Sequence, residues 1–149
     1  MKKKEVRTGD WVIVCDGRKA LIMEVRGDST YPNLHILTTR ERTDFPARDI
    51  NTDRPGRVHA SVGSARSSVE QADPHVAAED KFLVELARDL LAEAEKSEVR
   101  RLIIVAAPRA LGTLRKTWSP ALKKMIVREI DGDWVNMPIV EIEKRLAST

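Results

Sequence analysis

The sequence predicts an α/β fold built on one mixed five-stranded sheet with helices on its faces, and three observations carry that expectation. Two short stretches, Trp11–Cys15 ("WVIVC") and Leu102–Ala107 ("LIIVAA"), are apolar at every position, as strands buried on both faces must be. A long stretch with helical periodicity lies between them, so the connection is a right-handed crossover and the two strands run parallel. The first run is followed by Asp16–Gly17 and two further strand-like runs, which marks an antiparallel start.

Each element has its own signal. "KALIMEV" (Lys19–Val25) returns behind the Asp-Gly turn as the second strand. "GDSTYPN" is a turn cluster, and "LHILTTR" (Leu34–Arg40) follows as a third strand whose stronger alternation suits a place near the sheet edge. "DPH" starts a helix, with Asp73 as N-cap and Pro74 in the first turn. Behind it Phe82, Leu83, Leu86, Leu90 and Leu91 recur at helical spacing, so the helix is expected from about Pro74 to Lys96. Short helices are expected behind Pro108 and behind Ser119. "MIVREIDGDWV" fits helix or strand by periodicity; a strand from about Met125 to Asp133 is preferred, because the crossover then has a neighbour to return to. "MPIVEIEKRL" closes the chain as a helix with Pro138 at its start. The order β-β-β-α-β-α-α-β-α, with the two most apolar strands central, gives the sheet order 3-2-1-4-5: three antiparallel strands, then two parallel. That is the topology of ribonuclease H-like sheets.

The chain has 149 residues, the size of one ordinary domain that buries about 68–70% of its unfolded surface. Residues 1–149 are therefore expected to form a single domain. Hydrophobic residues are 42% and charged residues 33%, a globular and soluble balance. Cys15 is the sole cysteine, so no internal disulfide forms and a reducing compartment is expected. The basic start is followed by only a short apolar run, too short for a secretory core or a membrane span. A cytoplasmic location without membrane association is expected.

One long stretch, about residues 43–73, lacks core-forming periodicity. Loops beyond about 12–15 residues are uncommon in compact domains and are either linkers or functional. From Arg40 to Arg66 the Lys and Arg positions are all arginine, the side chain whose planar fork suits phosphate or carboxylate. Neighbouring acids, Glu41, Asp44, Asp49 and Asp53, offer the plainer reading that these are surface pairs. Ligands of open α/β sheets bind outside the carboxyl ends of the parallel strands. There Arg109 opens a helix whose free N–H groups favour anions. The candidate anion or RNA site is Arg54, Arg57, His59, Arg66, His75 and Arg109.

Catalytic patterns are incomplete. Asp16, Glu24, Asp80 and Asp131 are available for a two-metal nuclease, yet no acid lies inside a central strand. His59 and His75 are poorly spaced for zinc, and "VGSARS" is no nucleophile elbow. No metal and no cofactor are expected. Aromatic residues are only 4%, so RNA contact would run through arginine and phosphate rather than through stacking.

"DWVIVCDGRKALIMEV", "DRPGR", "DPHVAAEDKFLVELARDL", "LIIVAAPRALGTLRK" and "SPALKKMIVREIDGDWVNMP" occur in this order. In that combination the chain resembles the bacterial family named "protein required for attachment to host cells". That family is similar to the middle domain of archaeal and eukaryotic peptide-release factors, whose loop before the long helix carries a Gly-Gly-Gln tip. The resemblance places Val62–Ser68 ("VGSARSS") at the equivalent tip. No Gly-Gly-Gln stands there, and Gln71 sits apart from Gly63. The resemblance implies an arginine-loop RNA-binding module, with the ribosome or transfer RNA as partner, rather than a stop-codon-dependent releasing factor. Two alternatives stay open. One is a hydrolase of an ester or phosphoester with His59 or His75 as general base; the other is an attachment factor acting through protein contacts. The oligomeric state is not legible.

Overall fold

The structure is a computed structural model that describes residues 5–42 and 74–149. Three strands open it: β1 (Trp11–Cys15), β2 (Lys19–Val25) and β3 (Leu34–Glu41). The long helix α1 (Pro74–Lys96) leads to β4 (Leu102–Ala106) and α2 (Pro108–Thr117). Then come α3 (Pro120–Met125), β5 (Ile126–Asp131) and α4 (Ile139–Ser148). The sheet order is β3-β2-β1-β4-β5. β1 runs antiparallel to β2 and parallel to β4, β2 antiparallel to β3, and β4 parallel to β5. The expected α/β class, strand order and strand directions are all present.

The central strands are apolar throughout because helices cover both faces. Ile13, Cys15, Leu102 and Ile104 point to one side and meet Leu83, Leu86 and Leu90 of α1, with Leu111 and Leu114 of α2 and Leu122 of α3. Their neighbours Val12, Val14, Ile103 and Val105 point to the other side, against Trp134, Val135 and the α4 residues Ile142 and Leu146. Alternation along a strand divides one apolar run between two cores. Each fully buried Leu or Ile contributes roughly 1.5–3 kcal/mol relative to exposure, so both faces are needed to hold the sheet.

Local chemistry sets the ends of elements. Ser119 caps α3, its hydroxyl accepting from the Leu122 amide at 3.1 Å. Ala107 is the N-cap of α2 and so ends β4 one residue earlier than expected. Pro138 stands at the N-cap of α4, just outside the helix. Met125 closes α3, which confines the ambiguous stretch to a strand of six residues, Ile126–Asp131. Asp73, expected to cap α1, lies outside the described residues.

Candidate functional site: the carboxyl edge of the parallel strands

The chain leaves β1 toward β2 on one side and β4 toward β5 on the other. Where neighbouring parallel strands send their connections in opposite directions, a crevice opens at their carboxyl ends. Here it is a cleft of about 190 Å³, walled by the Asp16–Arg18 turn, the Glu79–Asp80 turn of α1, and Ala107, Arg109, Ala110 and Thr113. Pockets that hold whole small ligands are typically about 300–1,000 Å³. This one is sized for a single group of a larger ligand.

The turn that forms one wall is held tightly. The Asp16 carboxylate accepts from the backbone amides of Arg18 and Lys19, both at 2.8 Å, and the Asp16 amide donates to the Lys19 carbonyl at 2.9 Å. Gly17 lets α1 approach: a Cβ placed there would stand 2.6 Å from Glu79 Cγ. On the opposite wall α2 begins without a side-chain cap, and Pro108 occupies its first turn. The Leu111 amide bonds to the Ala107 carbonyl, which leaves the Arg109 and Ala110 amides as first-turn donors without a partner among the described residues. Both residues line the cleft.

Charges of both signs meet here. Asp16 is engaged by the turn, and the Thr113 hydroxyl donates to the Asp80 carboxylate at 3.3 Å. Arg18, Glu79 and Arg109 line the same cleft, yet among the described residues none of their side chains forms an ion pair. Among the described residues no three His, Cys, Asp or Glu side chains converge in a way that would hold a metal ion.

A second cleft of about 300 Å³ lies along the same edge, between the end of β3 and α1. Arg40, Arg42, Lys81, Phe82 and Glu85 are among its lining residues. Arg40 is tied to Asp89 at 2.6 Å. Arg42 donates from its side chain to the Gly17 carbonyl at 3.4 Å and from its backbone amide to the Arg18 carbonyl at 2.9 Å. These bonds join the exit of β3 to the wall of the first cleft. Arg42 precedes the segment 43–73 and Pro74 follows it, so both anchors of the long stretch flank this edge.

Of the residues singled out from the sequence, Arg109 stands in the first cleft. His75 is the second residue of α1. Arg54, Arg57, His59 and Arg66 lie outside the described residues. Glu79 and Lys81 carried no sequence signal; only the pitch of α1 against the Asp16–Gly17 turn brings them to the edge. A larger groove, about 860 Å³, lies elsewhere, between the β2–β3 turn and α4, beside the exposed Tyr31 and Val140. Among the described residues no helix is long and apolar enough to cross a membrane.

The chain matches known proteins over different lengths. An alignment at 31% identity over 78 residues links the chain to the uncharacterized protein RP470 of Rickettsia prowazekii (strain Madrid E), covering 48% of this chain and 52% of that protein. The chain thus spans about half the length of the curated relative it matches. An archaeal protein of solved structure aligns with 93% of this chain and 36% of its own, at 12% identity and a TM-score of 0.45. The model of bacterial archaeo-eukaryotic release factor family 12 matches residues 10–146. With the whole sheet and all but the last two residues of α4 inside that match, the chain belongs to bacterial archaeo-eukaryotic release factor family 12.

Proposed function

We propose that this chain is a translation-associated RNA-binding module that works as a single domain in the cytoplasm. Its ligand is anionic, ribosomal or transfer RNA, and its contact surface is the carboxyl edge of the parallel strands. The observation that carries this reading is the pair Arg18 and Arg109, which share one cleft without an acid partner among the described residues. Family membership supports the setting in translation. In this reading Arg54, Arg57 and Arg66 add phosphate contacts from the segment that begins after Arg42, and His59 and His75 contribute polar contacts beside them. The missing Gly-Gly-Gln sequence sets peptide release itself aside. The likeness to host-attachment proteins enters as a cellular phenotype downstream of RNA binding, not as direct adhesion.

Co-sedimentation with ribosomes at low and high salt tests the proposal. The chain is expected to pellet at low salt and to be released as salt rises, because phosphate contacts act by counterion release. Arg109→Gln should weaken pelleting several-fold without altering the melting temperature by more than about 2 °C. No pelleting at either salt overturns the reading.

A further inference from the structure

The first cleft holds more than cations, and its mixture of charges restricts what fits. Glu79 is half-buried against Gly17 and lines the cleft together with the exposed residues Arg18 and Arg109. Its carboxylate accepts no hydrogen bond among the described residues, in contrast to Asp16 and Asp80 on the same walls. Two guanidinium groups with open donors and one carboxylate with open acceptors therefore line a space sized for one chemical group. A bare phosphate satisfies the arginines but meets Glu79 as a like charge. A neutral sugar satisfies Glu79 and leaves both arginines unused. A ribonucleotide unit does both: its phosphodiester oxygens accept, and its 2′-hydroxyl donates.

We propose that the Arg18–Glu79–Arg109 cleft is a ribose-reading subsite, in which the arginines hold a phosphodiester and Glu79 accepts a hydrogen bond from the adjoining 2′-hydroxyl. This rests on the RNA-binding reading and extends it, because it states how RNA is told from DNA. The neighbouring cleft points to a polymer rather than a mononucleotide. Lys81 is exposed there and has no ion pair among the described residues. The bond from the Arg42 amide to the Arg18 carbonyl fixes the two clefts side by side. A strand whose ribose sits on Glu79 thus has a second cleft with an exposed cation beside it.

The test measures binding of the full chain to single-stranded 12-mers of one sequence as RNA, DNA and 2′-O-methyl RNA. RNA is expected to bind about tenfold more tightly than DNA, the worth of one hydrogen bond to a charged group. The 2′-O-methyl strand, lacking the donor, should behave as DNA. Glu79→Ala should erase the preference from both sides, weakening RNA and strengthening DNA as a like charge is removed. Arg18→Gln should weaken both alike and reduce the salt slope by about 0.7. Equal affinity of the unaltered chain for RNA and DNA overturns the ribose assignment while RNA binding stands. A preference that survives Glu79→Ala does the same. Failure to bind any of the three strands overturns this subsite and the proposed function together.

Discussion

Cys15 ends β1 just before Asp16 of the cleft wall, and its side chain is buried. Burial, with a smaller contribution from the adjacent Asp16 charge, pushes its thiol from an ordinary value of 9.0 up to about 12. The thiolate is the reactive form, so the native protein is expected to resist a thiol reagent at pH 8 and to react fully once denatured. Rapid labelling of the native chain would mean that β1 opens. The same shift sets a pH dependence. The unfolded thiol loses its proton first as pH rises, so the folded state binds more protons between about pH 9 and 12 and stability falls across that window. Denaturation of wild type and Cys15→Ala side by side should show the steeper decline in the wild type. Two residues on, Gly17 is legible in sequence as a turn glycine, but the reason it must be glycine is not. It is absent from the positive-φ residues, and the constraint is the crowding of Glu79, which no local pattern records.

At the opposite ends of the same strands, β1 and β4 are joined by an ion pair whose acid is buried and whose cation is partly exposed. Asp10 is 2% exposed, and its carboxylate receives the Arg101 Nε donor at 2.8 Å and the Arg7 amide at 2.9 Å. Arg101 also donates to the Glu5 carbonyl at 2.8 Å, and its own carbonyl accepts from the Trp11 amide at 3.1 Å. Removing the cation leaves a charge stranded in the interior, which costs more than a pair contributes. Arg101→Ala is therefore expected to lower stability by about 3–5 kcal/mol in urea denaturation. A loss below about 1 kcal/mol would show that water reaches Asp10 readily. The elements on which this pair depends were readable from apolar runs and turn residues, yet the pair itself was not. Its partners lie 91 positions apart and meet only because Trp11 registers with Leu102 in the parallel ladder.

Across the whole molecule, one sheet separates two cores, and adjacent residues of β4 serve different ones: Ile104 faces α1 to α3, and Ile103 faces α4. Ile103→Ala and Ile104→Ala are each expected to cost about 2–5 kcal/mol. In the double variant the two costs should nearly add, because the side chains share no partners. Strong non-additivity would mean that the faces communicate through the strand. The candidate edge is a consequence of this same architecture, since the topology sends β1 and β4 connections apart and the helices decide which charged side chains face the gap. Sequence reasoning placed Arg109 at that edge because a proline-led helix after a buried strand is a local signal. Glu79 and Lys81 escaped it because every exposed position of an amphipathic helix looks alike until a neighbour is packed beside it. By itself, then, the sequence determined eight of the nine described elements from hydrophobic periodicity and turn residues, and β5 from the need of the crossover for a neighbouring strand, with their order and the strand directions following from the handedness of chain crossovers. Tertiary structure alone decided that Arg18, Glu79 and Arg109 share a cleft and that Asp10 meets Arg101, because such meetings depend on register and helix seating between segments far apart along the chain.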